Sequence, residues 1–409
     1  MRIAHGDVLV LGTGPAGLAL AAACAEQGLD VVCASPDPDA RWHNGYAAWL
    51  DELAVAGADD CVEATWPAAL VHTAARTHRL DRPYARIDND ALQDGLRERA
   101  ERAGARFLSG TAGHVSHDGH GSEVVLADGD TLSAHLVVDA TGHGAVLRAA
   151  TPPTAFQVAW GRVVEVDDAP WSAEVAVLMD LRDANPGDAD PPSFLYVLPL
   201  PGGRFLLEET SLAAATPVAL ERLRRRLDAR LDRLGVRVTA EHRVERCRIP
   251  LDVAPPRPGA RVLAFGGSAG MVHPATGYQV ARALAAAPRV ARAISAHLSE
   301  GPEVTAARAG AAVWPASERR TRALHDLGLR LLLSLDAAET RDFFERFFAL
   351  PPRHWRAYLS ASAGPLAVAS AMTSLFLRLG PARRRVTTVA LGAGWPAMRD
   401  LVADLGGLR

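Results

Sequence analysis

Short apolar runs that end at glycine turns recur three times along the chain. Asp7 to Leu11 precedes Gly12-Thr13-Gly14-Pro15-Ala16-Gly17, Leu136 to Val138 precedes Asp139-Ala140-Thr141-Gly142, and Val262 to Phe265 precedes Gly266-Gly267-Ser268-Ala269-Gly270. Runs of this length bounded by turn residues suit strands buried on both faces of a parallel sheet. A small-residue helix is expected from Leu18 to about Gln27, then a second strand over Asp30 to Ala34, which together make a βαβ unit. From Phe156 to roughly Glu245 the pattern changes to alternating strands. One helix interrupts them from Pro217 to about Leu234, with Leu220, Leu223, Leu227 and Leu231 at helical spacing. Its Arg222 to Arg226 run is expected on the solvated side. Asn185 to Pro192 is a loop. From Val304 onward the pattern is helical and Arg-rich, with helices over Ser317 to Leu335, Glu339 to Leu350 and Pro365 to Leu377.

The first glycine turn carries chemistry. Gly12 permits a tight turn, Gly14 lets backbone approach a pyrophosphate, and Gly17 lets helix and strand pack closely, with Pro15 and Ala16 counted in the same cofactor-binding turn. The second strand of such units usually ends in an acidic residue that binds the ribose. Ser35 stands there instead, followed by Pro36 and Asp37, so the ribose contact is expected at Ser35 or Asp37. The chain is expected to divide into a discontinuous dinucleotide-binding domain (1–60, 80–155 and 245–300), a substrate-side sheet (61–79 and 156–244) and a helical region (301–409).

Composition narrows the function. The 409 residues are 49% hydrophobic, with a net charge of −3, and nucleic acid is excluded as a partner because phosphate recognition needs a clustered positive excess. All 44 basic residues are arginine, which reads as a GC-rich bacterial genome. Cys24, Cys33, Cys61 and Cys247 lack Cys-x-x-Cys spacing and are expected to be reduced thiols. The 14 histidines show no ligand spacing, so no metal site is expected. A strand within seven residues of the amino terminus leaves no room for a secretory signal, and a cytoplasmic location is expected. Pro365 to Leu377 is uncharged but shorter than the roughly 20 residues a bilayer span needs. With Arg378, Arg383, Arg384 and Arg385 it suits either a helix (365–385) lying peripherally on the inner face of the cell membrane or a helix buried against the rest of the protein.

Ordered motifs extend the reading. Asn44-Gly-Tyr-Ala-Ala-Trp-Leu-Asp-Glu52, Arg82-Pro-Tyr-Ala-Arg86, Pro192-Ser-Phe-Leu-Tyr196, Leu207-Glu-Glu-Thr-Ser-Leu212 and Met271-Val-His-Pro-Ala-Thr-Gly-Tyr278 follow one another in the order and spacing of the lycopene cyclases. From Val8 to about Leu359 the chain resembles that family, in its plant-type branch. The resemblance implies an α/β fold: a Rossmann-like FAD domain of the hydroxylase and reductase type, an interleaved β-sheet substrate domain and a helical C-terminal region. It implies FAD, active when reduced, with NAD(P)H a candidate reductant and a hydrophobic polyprenyl substrate such as lycopene. Arg86 resembles the hydroxylase-type arginine that contacts FAD phosphate. Asp139, Gly142, Gly266, Gly267, Ser268, Gly270, Met271, Gly277 and Tyr278 fall in the flavin-binding segments. The hydroxylases carry Asp where Gly267 stands, a swap shared with plant-type cyclases. Leu206 and Pro250-Leu-Asp-Val253 depart from the family pattern on the substrate side.

Cyclisation of this kind begins with protonation of an alkene, which needs an acid kept neutral in a dry pocket. Glu208 and Glu209 stand in the apolar strand Arg204 to Leu212. Successive strand residues point to opposite faces, so one carboxyl is expected on the flavin side and the other against an arginine. Glu209 is favoured as the donor. Trp49, Trp160, Tyr196 and Tyr278 are expected either to pack in the core or to offer ring faces to a cation, and His273 either to brace its loop, to hydrogen-bond near the flavin or to take up the leaving proton. Two alternatives stand: the same chemistry on a shorter terpenoid or prenylated chain, and an FAD-dependent monooxygenase or prenyl reductase.

Overall fold

Parallel strands made of continuous apolar residues build the first layer. The computed structural model describes residues 2–144, 146–147, 152–182 and 190–379. Its first strand, Arg2–Leu11, lies between Val31–Ser35 and Thr131–Asp139, with Arg106–Ser109 outside the former and Val262–Ala264 beside the end of the latter, all parallel. Parity along these strands divides the core. Val8, Val10, Val31 and Cys33 meet the helices Pro15–Glu26 and Val280–His297, while Leu9, Leu11, Val32 and Ala34 face the antiparallel pair Ala112–His117 and Ser122–Leu126. The first helix begins at Pro15, three residues earlier than the hydrophobic pattern indicates, because proline at a first helical position lacks only an N–H that would be unsatisfied anyway.

The second layer is a seven-stranded sheet ordered Arg237–Pro250, Phe156–Asp167, Arg204–Ser211, Ser193–Leu200, Ala176–Asp180, Ala69–His72 and Thr77–Leu80. Helix Leu220–Leu234 covers one face through Leu223, Leu227 and Leu231. The Arg222 to Arg226 run is not wholly solvated: Arg226 and Arg230 are buried, because Ser193 and Glu209 lie beneath them as acceptors. The opposite face, with Phe194, Leu198 and Leu206, packs on Phe343 and Phe347 from the carboxyl-terminal helices. A three-stranded sheet of Ala47–Trp49, Tyr84–Ile87 and Val62–Trp66 joins the layers.

The carboxyl-terminal helices run Pro302–Val313, Ala316–Ser334, Ala337–Phe348, Pro352–Tyr358 and Pro365–Phe376. Asp336 and Glu339 form a capping box at the third of these. Pro365–Phe376 buries Val368, Ala371 and Leu375 in the aromatic cluster and leaves Leu366 and Leu377 67% and 66% exposed. Among the described residues no helix is long and apolar enough to cross a membrane. Arg383, Arg384 and Arg385, and most of the 185–192 loop, lie outside the described residues.

One arginine ties the helical region to the third glycine turn. Arg322, 4% exposed, donates to the carbonyls of Gly270, Val272, Leu251 and Val253 and pairs with Asp326 at 2.6 Å. Removing the guanidinium strands several buried carbonyls, each worth about 1–3 kcal/mol of desolvation. Arg322→Leu is therefore expected to destabilise the protein by on the order of 3 kcal/mol. The check is the urea midpoint of the variant; a midpoint equal to that of the wild type would refute this role.

Candidate active site

A cavity of about 930 Å3 lies between the two layers and the carboxyl-terminal helices. At one end stands the first glycine turn. Gly12 has φ of +100°, and a Cβ on Gly17 would lie 1.9 Å from the Gly12 carbonyl oxygen, so both positions admit only glycine. A Cβ on Gly14 would meet open space, and the helix that starts at Pro15 has no side-chain cap. Its free N–H groups and positive end therefore face the cavity, as phosphate binding requires. Ser35 and Asp37 are on the wall, with Ser35 Oγ 3.1 Å from Thr13 Oγ1, where a ribose would be met. These residues fit a dinucleotide.

The second and third glycine turns divide between wall and support. Gly142, Gly267, Gly277 and Tyr278 line the cavity. A Cβ at Gly267 would come within 3.0 Å of the Gly142 carbonyl carbon and His143 Nδ1, which leaves no ready room for the aspartate of the hydroxylases. Asp139 is turned away from the cavity and accepts from the Thr141 and Leu147 amides and the Thr141 hydroxyl. Ser268 Oγ lies within hydrogen-bonding reach of the carbonyls of Asp139 and Phe265, Gly266 N–H lies 3.2 Å from Met271 Sδ, and Gly270 packs on the Val253 carbonyl. Asp139, Gly266, Ser268, Gly270 and Met271 thus shape the turns from behind the wall.

Arg86 reaches the wall but is held by its neighbours. Its Nε donates to Glu63 at 3.0 Å and its terminal nitrogen to Glu245 at 2.7 Å. Burial opposes the charge of each member. For Glu245 the guanidiniums of Arg86 and Arg243 outweigh burial and hold its carboxyl below the usual range, and for Arg86 the two glutamates likewise keep it charged. With these carboxylates on it, the phosphate contact expected of Arg86 has a competitor inside the protein.

The acidic strand Arg204–Ser211 separates its two glutamates by parity. Leu206, Glu208, Thr210 and Leu212 line the cavity, whereas Phe205, Leu207 and Glu209 take the other face. Glu209 has no exposed surface. It accepts from Arg230 Nε at 2.9 Å, from an Arg230 terminal nitrogen at 3.0 Å and from Ser193 Oγ at 2.6 Å. The favoured donor of the sequence reading is therefore the structural member, and Glu208 faces the cavity. It is half-buried on that wall; burial pushes its carboxyl up to about 7, aided by Glu245 and opposed by the Thr210 hydroxyl (2.7 Å) and by Arg86. Across the sheet stands Gly161, where a Cβ would crowd that of Glu208 at 2.8 Å.

Three tyrosines share one hydrogen-bonded cluster on the wall: Tyr84 Oη lies 2.7 Å from Tyr278 Oη and 3.1 Å from Tyr196 Oη. Burial pushes all three phenols well above their ordinary value. Trp49 also lines the cavity, edge-on to Tyr84 at 5.1 Å. Trp160 does not; it is the cross-strand neighbour of Glu209 and belongs to the core under helix Leu220–Leu234. His273 also lies off the wall. Its Nδ1 accepts from the Ala275 amide at 3.2 Å, its Nε2 donates to the Tyr358 carbonyl at 3.0 Å, and burial pushes it down to about 3. It is a neutral loop support. Sequence reasoning passed over Tyr84, Glu245, Gly161 and the aromatic end wall of Phe343, Phe344, Phe347 and Phe348, although the paired phenylalanines in Arg341-Asp-Phe-Phe-Glu-Arg-Phe-Phe348 recur at helical spacing.

Comparison with known proteins adds the family. The model described as "Lycopene cyclase protein" matches residues 7–377. The chain belongs to the lycopene cyclase family. This family member is 38% identical over 370 residues to a lycopene beta cyclase of Nicotiana tabacum, covering 87% of this chain and 74% of that one. It is 35% identical over 381 residues to a capsanthin/capsorubin synthase of Capsicum annuum, covering 89% and 76%. Its matched relatives are named as enzymes, and this lycopene cyclase family member is an enzyme. Among solved structures, a geranylgeranyl bacteriochlorophyll reductase-like protein from Thermoplasma acidophilum superposes with a TM-score of 0.69 at 16% identity, covering 94% of this chain and 99% of that one. A flavoprotein/dehydrogenase from Cytophaga hutchinsonii gives 0.63 at 14% identity over 95% and 99%. The expected fold, of the reductase and hydroxylase type, is the observed one.

Glu209→Gln leaves the buried Arg230 without its counter-charge, at an expected cost of about 3–5 kcal/mol. Glu208→Gln, measured at pH 8, removes a buried carboxylate instead and is expected to leave the urea midpoint unchanged or higher. The reverse order of midpoints would reverse the assignment.

Proposed function

We propose that this protein is a flavin-dependent, non-redox cyclase that closes a cyclohexene ring at the acyclic end of a linear carotenoid such as lycopene, with Glu208 as the acid. The observation that carries this reading is a carboxyl poised at about 7 on the wall of a largely apolar cavity. An acid that is still substantially protonated at neutral pH, and shielded from water, is what an alkene needs to accept a proton. Family membership and the names of the relatives support the substrate class.

Glu208 delivers its proton to the terminal double bond, and the tertiary cation left behind is attacked by the next alkene of the folded chain. Loss of a ring proton to a base then leaves a cyclohexene of unchanged mass. Tyr84, Tyr196, Tyr278 and Trp49 enclose this region and offer ring faces to the cation, while Phe343, Phe344, Phe347 and Phe348 exclude water. The glycine turn at 12–17, Ser35 and Asp37 hold FAD, with NAD(P)H the proposed reductant. Bound in its reduced, anionic form, the flavin supplies a negative charge that favours a nearby cation in a medium of low dielectric.

Under anaerobic conditions with chemically reduced FAD, the protein is expected to convert lycopene in liposomes to an isomer. Glu208→Gln should lower that rate by about 10²–10⁴-fold while leaving FAD binding intact. Because only the protonated acid acts, the rate should hold below its pKa and fall as pH rises through about 7. Mass and retention time of the product are the readout; a gain of one oxygen in air, or of two hydrogens without it, would sink the reading.

A lipid-soluble substrate has to be collected from a membrane. Exposed Leu366 and Leu377, beside exposed Arg378, support peripheral attachment through Pro365–Phe376. Co-sedimentation with anionic liposomes at low salt is expected, and its loss in Leu366→Glu/Leu377→Glu; equal sedimentation of both proteins counts against this surface.

A further inference from the structure

The acidic strand points beyond the cavity. Its wall residues Leu206, Glu208, Thr210 and Leu212 form one line along the sheet, with Leu212 at the far end. A second cavity of about 370 Å3 begins there. Leu212 and Leu332 line both spaces, so two aliphatic side chains stand where the cavities adjoin. Pro192, Ala214, Val218 and Leu333 supply apolar lining beyond them, Asp190, Arg222 and Thr340 share the wall, and Thr216 on it is exposed.

Size makes this junction significant. The main cavity is about 930 Å3, near the upper end for a site that takes one drug-sized ligand, at roughly 1,000 Å3. It also has to hold a dinucleotide at the glycine turn. A long polyene whose end lies at Glu208 cannot coil beside that cofactor, so the unreacted length of the chain must leave the chamber. Leaving through a wall of backbone or paired charges would strand polar groups, whereas two leucine side chains can change rotamer at small cost.

We infer that the second cavity is a tail subsite: the unreacted length of the linear carotenoid passes between Leu212 and Leu332 and lies along the apolar lining beyond them. This rests on the cyclase reading for the identity of the substrate. A chain short enough to fit within the main chamber makes no use of the subsite, so the passage selects for length, whereas Glu208 acts on the end alone.

The test compares two probes that carry the same acyclic end, lycopene and geranylgeraniol, each titrated from detergent micelles into the full-length protein and then assayed for cyclisation. Leu212→Trp and Leu332→Trp fill the passage from opposite sides. Each is expected to weaken lycopene binding by about tenfold or more while leaving geranylgeraniol within about twofold, and Leu212→Met should restore the lycopene affinity. Equal losses for both probes, or none for either, overturn the tail subsite. Wild-type protein that binds both probes but cyclises neither defeats the cyclase reading instead, and the binding comparison still decides the passage.

Discussion

Everything the site can do depends on the pairing of Glu209 with Arg230 on the hidden face of one strand. That bidentate contact, completed by Ser193, pins the acidic strand to helix Leu220–Leu234 in a single register. A slip of one residue would exchange the faces of every side chain and bury Glu208 against the helix. The two adjacent carboxyls therefore have opposite fates imposed by one geometric rule. Glu209 pairs with Arg230 away from the cavity; Glu208 faces the cavity and, among the described residues, has no cation in salt-bridge contact.

A second constraint joins the layers. Arg86 comes from the small three-stranded sheet and Glu245 from the edge strand of the large one, so their contact at 2.7 Å holds the cofactor side and the acid side at a fixed separation. Arg322 does the same for the helical region and the third glycine turn. Arginine suits both tasks, since its planar fork satisfies several acceptors at once and stays charged when buried. The chain's exclusive use of arginine, read first as a genomic bias, here supplies the cross-links of the fold.

Much of the architecture was legible because local chemistry and tertiary demand agree. The apolar runs before the glycine turns could only be buried parallel strands, and the leucine spacing over 220–231 marked a helix laid on a sheet. Parity showed that the two glutamates must diverge, but not which one faces inward. That depends on which face of the strand meets the arginines of a helix some 20 residues later, a tertiary fact with no local trace. Asp139 was misread, and the loop-bracing reading of His273 prevails over the catalytic one, for a related reason. Both stand in cofactor-binding segments, yet their polar atoms are consumed by backbone groups of the turns they brace. Trp160 fell to the wrong side because its strand partner is Glu209 rather than Glu208.

The energetic sense of the arrangement lies in what Glu208 is denied. Raising a carboxyl from 4.5 to about 7 corresponds to roughly 3 kcal/mol of preference for the neutral form. The sign follows from linkage: below the unfolded pKa both states are neutral and nothing is lost, and the folded state loses stability as pH climbs from there through about 7. A guanidinium facing Glu208 as closely as Arg230 faces Glu209 would abolish that loss and the acidity with it. Instead Arg86, the nearest cation to influence it, is drawn to Glu63 and Glu245, and Glu245 adds its own repulsion. The fold thus tolerates a modest instability at one buried carboxyl, offsets it with paired neighbours, and keeps a proton available on the wall of a largely apolar cavity.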